Sequence, residues 1–240
     1  MAKISELIYG IVHRSFWNFN ITKPETYWVL RRGNVVGRAS LGQLGQGRQA
    51  DTYRAVFDAI QDRGVMHVVD LGCNISALGQ LLFDWGYAGK YTGFDNNLYA
   101  LKEGRRALQA LGRNYELGQA NIRALPFAGN SFECVVMKDV LEHMEDFKPL
   151  LGEALRVSSR YAIIANFIPW TEGDSIIRRQ PGGFYLNMYS RSEVYGFARA
   201  RGWQVSQVIS ALEKDSRPNE VVIFTSHGKP SVEQTSPRNF

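Results

Sequence analysis

The sequence predicts an α/β protein built on a doubly wound sheet of seven strands, parallel except one edge strand, with helices on both faces. From Ala50 onward, short runs rich in β-branched and aromatic residues alternate with longer amphipathic segments, as β-α-β units do when they close a parallel sheet. A length of 240 residues, 45% of them hydrophobic, suffices for one substantial core and favours one large domain.

Taken in order, Tyr53, Val56, Phe57 and Ile60 fall on one helical stripe, and Met66 to Leu71 reads as a buried strand ended by Gly72. A helix over 77–85 leads to a second strand, Tyr91 to Asp95, and Leu98, Leu101, Leu108 and Leu111 mark the next helix. Strands three and four are expected at Tyr115 to Gln119 and Glu133 to Met137. The stripe Phe147, Leu150, Leu151, Ala154 and Leu155 precedes strand five, Tyr161 to Phe167. Ser190-Arg191-Ser192-Glu193 matches a capping box opening a helix that runs to Ala200. Trp203 to Ile209 and Val221 to Thr225 then read as two strands paired near one edge.

Two regions break the alternation. Residues 1–48 form an N-terminal extension, and 169–188 an insertion within a main domain spanning 49–228; both are expected to cover an acceptor pocket. Between Glu25 and Asp51 there is no acidic residue, against four arginines (Arg31, Arg32, Arg38, Arg48) and five glycines, which suits either a solvated surface loop or a mobile basic lid. Residues 229–240 are polar, contain Pro230 and Pro237, and are expected to be a disordered tail.

Composition excludes several classes. No apolar run approaches the roughly 18 residues of a membrane span. Glu6, His13 and Arg14 break up the apolar N-terminus, against a secretory signal, so a cytoplasmic location is expected. Cys73 and Cys134 form neither a C-x-x-C pair nor a cluster with histidine, which argues against a disulfide framework and against a metal site. The net charge of +5 is compatible with an anionic ligand without requiring nucleic acid.

In an open α/β sheet, ligands lie outside the carboxyl ends of the strands. After strand one comes Asp70-Leu71-Gly72-Cys73-Asn74-Ile75-Ser76, a turn into a helix whose free N–H groups can hold a carboxylate. Asp95, 25 residues beyond Asp70, ends strand two where an acidic side chain can take both ribose hydroxyls, so a nucleoside ligand is implied. A nicotinamide dehydrogenase fits less well, since its G-x-G-x-x-G would meet Asn74 and Ala77.

Further on stand Leu125-Pro126-Phe127, Ser131-Phe132-Glu133 and Val140-Leu141-Glu142-His143. In order and spacing this series resembles the L-P-F, S-F-D and V-L-E-H run of class I S-adenosylmethionine-dependent methyltransferases, in particular the type 11 subgroup, over about residues 49–228. The resemblance implies a Rossmann-like fold and S-adenosylmethionine as cofactor, leaving as S-adenosylhomocysteine. It implies roles for Gly72, Cys73 and Asn74 around the methionine part, for Asp70 near its amino group, and for Asp95 at the ribose. Asn96 would flank the adenine, Asn121 and the Ile122 N–H would meet its edge, and Lys138 would line the pocket near the methyl. The chain departs from the family's G-x-G-x-G, with Asn74 and Ser76 in place of two glycines; Asn tolerates the left-handed conformation and Ser adds little volume.

Methyl transfer needs an acceptor lone pair held in line, so positioning supplies most of the catalysis. A hydroxyl acceptor would benefit from a base, for which His143 is the first candidate, ahead of Asp139, Glu142 and His13. Met137-Lys138-Asp139-Val140 stands where an N-P-P-Y device would methylate an amino group, and no Pro-Cys pair is present for attack on cytosine carbon. A small-molecule, sugar or lipid-linked acceptor remains, with oxygen the expected atom. Two alternatives stay open: an RNA methyltransferase using Tyr27, Trp28 and the Arg31 to Arg48 segment, and a noncatalytic binding protein that keeps the fold.

Overall fold

The computed structural model describes residues 50–180, 183–212 and 218–227. Helix α1 (Ala50–Asp62) leads into β1 (His67–Leu71), α2 (Ala77–Asp84), β2 (Lys90–Asp95), α3 (Leu98–Gln109), β3 (Tyr115–Gln119) and β4 (Phe132–Lys138). A 3-10 turn (Leu141–His143), α4 (Lys148–Val157), β5 (Ser158–Asn166), α5 (Arg191–Arg199), β6 (Trp203–Leu212) and β7 (Pro218–Ser226) complete the order. The seven strands lie in the order β3-β2-β1-β4-β5-β7-β6. Strands β3 to β5 pair parallel, and β7 runs antiparallel to both neighbours. The one reversed strand is thus inserted beside the edge, and β6 forms the edge itself.

Alternation along the central strands builds two apolar layers. Val69 and Leu71 of β1, Val135 and Met137 of β4, and Val222 and Phe224 of β7 face α4 and α5. Val68, Cys134, Val136, Val221 and Ile223 face α1, α2 and Leu108 of α3. Strands buried on both faces read as continuous apolar runs, which is why β1, β4 and β5 were legible as strands. Among the described residues no helix is long and apolar enough to cross a membrane.

Two local features differ from the sequence reading. Ser190 makes no side-chain cap to α5. Instead the Ser175 hydroxyl accepts from the Ser190 N–H at 2.8 Å and donates to Glu193 Oε2 at 2.7 Å, so a serine from the 169–188 insertion stands between the two ends of the expected capping box. Trp170, at the start of the insertion expected to cover an acceptor pocket, is a core residue: it is 5% exposed and packs edge-on against Tyr195.

Candidate active site

The site is assembled where β1, β2 and β4 end. Leaving β1, the chain turns at Gly72 (φ 81°), Asn74 (φ 50°) and Ser76 (φ 59°), so all three positions of the family's glycines are left-handed. A Cβ on Gly72 would lie 2.7 Å from Val140 Cγ2, so the turns after β1 and β4 approach through the glycine. The space it leaves is therefore taken by Val140. The N–H groups of Gly72 and Cys73 both donate to the Phe94 carbonyl, at 2.8 and 3.1 Å.

Asp95 holds this loop from the end of β2: the Asn74 N–H donates to its Oδ2 and the Asn97 N–H to its Oδ1, each at 2.8 Å. Burial raises its pKa while the backbone donors from Asn97, Asn74 and Asn96 oppose the rise. Each carboxylate oxygen carries two lone pairs, so Asp95 keeps acceptor capacity beyond these three backbone donors. The Asn96 carbonyl accepts from Gln119 Nε2 at 3.1 Å, which ties the end of β2 to the end of β3. Beyond β3, Asn121 is exposed; its Oδ1 accepts from the Arg123 N–H at 3.1 Å, and Ile122 packs on the core.

Behind the loop, Asp70 is buried and accepts from the Tyr91 hydroxyl at 2.6 Å. Burial pushes its carboxyl up to about 7; the Tyr91 hydrogen bond and the Lys138 charge pull the other way, and Asp95 adds to the rise. Cys73 turns inward, its Sγ filling the space over Gly93, where a Cβ would meet it at 2.8 Å. Burial, with the charges of Asp70 and Asp95, raises the thiol well above its ordinary pKa, so Cys73 shapes the floor of the site rather than reacting.

The end of β4 carries the other charges. Lys138 Nζ is 2.5 Å from Asp139 Oδ2 and lies 4.2 Å from the centre of the Tyr53 ring, which reaches over from α1. Burial alone would lower the Lys138 pKa, but Asp139 and Tyr53 outweigh it and hold the ammonium above its ordinary range. Glu142 is 2% exposed and accepts from the Phe167 N–H at 3.3 Å; burial, then the Asp139 charge, push it up to about 8.

His143 Nδ1 lies 2.9 Å from the Tyr185 carbonyl, and its ring sits against Phe167 and Phe184. A carbonyl only accepts, so Nδ1 carries the proton and the basic lone pair of the neutral ring is on Nε2. Tyr185 belongs to the inserted segment, held down by the buried Asn187. The Asn187 N–H donates to the Glu142 carbonyl at 2.8 Å, its Nδ2 donates to the Met144 carbonyl at 2.5 Å, and its Oδ1 accepts from the Arg178 N–H at 2.8 Å. The Tyr189 hydroxyl donates to the same Met144 carbonyl.

The structure therefore gathers Asp70, Gly72, Cys73, Asn74, Asp95 and Asn96 at one loop and Lys138 and His143 along the exit of β4, with Asn121 and Ile122 in the turn after β3. His13, Tyr27, Trp28 and the Arg31 to Arg48 segment lie outside the described residues. Sequence reasoning missed Tyr91 and Asn187, and took Tyr53 only as core. None stands in a motif: Tyr91 opens a strand, and Asn187 is one polar residue in an irregular insertion. The L-P-F turn is pinned from α4, where Glu153 accepts from the Leu125 N–H at 2.6 Å and Arg156 donates to the Phe127 carbonyl at 2.7 Å.

Residues 69–165 match the model of a family described as a methyltransferase domain. An uncharacterized 37.1 kDa protein in transposon TN4556 of Streptomyces fradiae is 32% identical over 120 residues, 49% of this chain and 34% of that protein. The ubiquinone/menaquinone biosynthesis C-methyltransferase UbiE of Cronobacter sakazakii is 38% identical over 74 residues, 30% of each chain. The chain thus spans about a third of the length of these curated relatives. Among solved structures, the magnesium protoporphyrin IX methyltransferase of Synechocystis PCC 6803 with bound SAM superposes with a TM-score of 0.65 at 13% identity, covering 85% of this chain and 97% of that one. A SAM-dependent methyltransferase from Aquifex aeolicus gives 0.56 at 18% identity, covering 80% and 96%. At these identities the structural likeness is one of fold. Residues 69–165 are thus similar to a methyltransferase domain, and the sheet carries the fold of S-adenosylmethionine-dependent methyltransferases.

Proposed function

We propose that the chain binds S-adenosylmethionine across the carboxyl ends of β1, β2 and β4 and passes its methyl group to a small-molecule, sugar or lipid-linked acceptor at oxygen. The observation that carries the reading is the loop after β1, whose Gly72, Asn74 and Ser76 keep the left-handed backbone of a glycine-rich cofactor loop despite two replacements. Asp95, with lone pairs to spare, fits the ribose hydroxyls, and Asn96 with the 121–122 turn fits the adenine. When bound, the cofactor supplies an electrophilic methyl on a sulfonium; the residues then bind, orient and exclude water. Asp70 sits near the amino group, and Lys138 with Asp139 lines the wall toward the acceptor. His143, its Nδ1–H held by the Tyr185 carbonyl, offers Nε2 as the base that takes a hydroxyl proton. In this reading residues 169–188 form a wall of the acceptor pocket; the expected lid over 1–48 and the expected tail over 229–240 lie outside the described residues. A cytoplasmic location goes with this reading, supported by two free, buried cysteines.

The likeness to a C-methyltransferase favours a second reading, in which the acceptor atom is carbon. Labelled-methyl transfer from the cofactor into fractionated extract tests both. A labelled product that forms only with the protein supports methyl transfer, and release of the label by hydriodic acid assigns it to oxygen rather than carbon. Label confined to the RNA fraction would favour the RNA reading. Absence of both label transfer and cofactor binding would favour the noncatalytic one.

A further inference from the structure

After β5 the chain runs out and back as an irregular antiparallel hairpin, in which Ile176 pairs with Met188 and Arg179 with Tyr185. The return arm is fixed to the body by Asn187 and Tyr189. The outgoing arm is not covered: Ile176 and Ile177 are 40% and 48% exposed. Neighbouring residues of an extended segment point to opposite faces, so exposure of both means that neither face of the arm is packed. Arg178 and Arg179 follow, both exposed, and among the described residues neither guanidinium meets a carboxylate. Glu172 is engaged with Arg191 and Glu193 with Ser175, and the exposed Asp174 of the same arm pairs with neither arginine. Adjacent exposed isoleucines at the root of a basic pair serve no purpose in the fold.

We propose that this arm docks on an anionic phospholipid surface, with Ile176 and Ile177 entering the acyl boundary and Arg178 and Arg179 meeting lipid phosphates. Charge complementarity decides the occupant. A second copy of the chain across a two-fold axis would set arginine against arginine, whereas phosphates supply the missing negative charge. Two isoleucines and two arginines give weak, reversible docking. Because Asn187 joins the hairpin to Glu142 and Met144, docking brings the His143 end of the site to the headgroup layer, where a lipid-linked acceptor would be met. This last step rests on the methyl-transfer reading; the docking itself does not.

The test is co-sedimentation of the full chain with vesicles of phosphatidylcholine mixed with phosphatidylglycerol, against vesicles of phosphatidylcholine alone. The chain is expected to bind the mixed vesicles, less so at high salt, and to ignore the neutral ones. Ile176→Ser with Ile177→Ser, and separately Arg178→Gln with Arg179→Gln, should each weaken binding roughly tenfold or more. Both pairs are exposed, so thermal midpoints and cofactor affinity should hold, which separates failure here from failure of the methyl-transfer reading. The proposal is overturned if the parent chain does not bind, if it binds neutral vesicles equally, or if both double variants bind like the parent.

Discussion

The backbone N–H of Asn74 donates to Asp95 Oδ2 at 2.8 Å, so the acid that ends β2 already holds the loop that follows β1. With the Asn97 N–H on the other oxygen, the carboxylate fixes that loop in shape without any ligand. Pre-ordering removes a conformational cost from binding.

That tie holds the loop in a left-handed path, and Ser76 bears the strain. It is fully buried at φ 59° and does not cap α2, and its hydroxyl finds no partner of good geometry although the Cys73 thiol and Tyr91 phenol are near. Ser76→Gly relieves roughly 1–2 kcal/mol of left-handed strain and about 1–3 kcal/mol of unmet polar burial. Against these stands roughly 0.5–1 kcal/mol for the freer glycine in the unfolded chain. The net expectation is a gain of about 1 kcal/mol or more, read as a higher urea midpoint. A lower midpoint would show that the hydroxyl is satisfied in solution.

Asp70 and Glu142 give the protein a pH dependence of definite sign. Their pKa values rise on folding, from 3.8 to about 7 and from 4.5 to about 8. Between those limits the native state holds protons that the unfolded state has lost, so stability is greatest at low pH in this window and falls as pH rises toward 8. Asp70→Asn should flatten the part between pH 4 and 7. Ionisation of Asp70 near pH 7 should also strengthen binding of the cofactor's ammonium, so affinity rises from pH 6 to pH 8 in the parent and stays level in the variant. An unchanged pH profile of stability in Asp70→Asn would count against the buried, protonated carboxyl.

His143→Ala separates the base from the binding site. With an oxygen acceptor, turnover should fall by about 10² to 10⁴, the range for loss of a positioned base. Cofactor affinity, measured by calorimetry, should stay within a factor of about two, because His143 lies on the exit of β4 and not on the loop held by Asp95. Full turnover in the variant would remove His143 from the chemistry.

Asn187→Ala tests how the hairpin is held. The side chain accepts from Arg178 and donates to Met144, so its loss leaves the Arg178 N–H unpaired and the Met144 carbonyl with the Tyr189 hydroxyl alone. A destabilisation of about 1–3 kcal/mol is expected, with faster proteolytic cleavage between 171 and 190 and unaltered cofactor binding. Cleavage at the parent's rate would mean that Tyr189 alone secures the segment.

Legibility in the sequence followed the physics of each element. Strands β1, β2 and β4 were found within a residue or so because burial on both faces leaves uninterrupted apolar runs such as Val68-Val69 and Val135-Val136. Strand β5 begins earlier than its apolar run because Ser158 pairs with Phe132 beyond a bulge that contains Arg160, whose side chain pairs with Glu133 at the surface. The capping box failed because the distant Ser175 hydroxyl stands between the Ser190 N–H and Glu193, and the Ser190 hydroxyl turns to Ser192 instead. Asn74 was legible as a left-handed residue from its side chain alone; Ser76 was not, since only the Asn74–Asp95 tie and the packing around Gly104 hold it there. Trp170 misled for a related reason: inside a polar insertion an indole suggests a pocket wall, yet it faces Phe224 in the core.

The central claim is that Asp95 and the left-handed loop form an S-adenosylmethionine site. Calorimetric titration of the cofactor into the parent chain and into Asp95→Ala tests it most directly. Losing a charged acceptor for hydroxyls costs on the order of 1.5–3 kcal/mol per hydrogen bond, hence at least about tenfold in affinity. Part of the loss would come from the loop, which no longer has its anchor at the Asn74 N–H. One-to-one binding in the parent that weakens tenfold or more in a folded Asp95→Ala is the result expected. No binding by the parent, or equal affinity in the variant, would contradict the account.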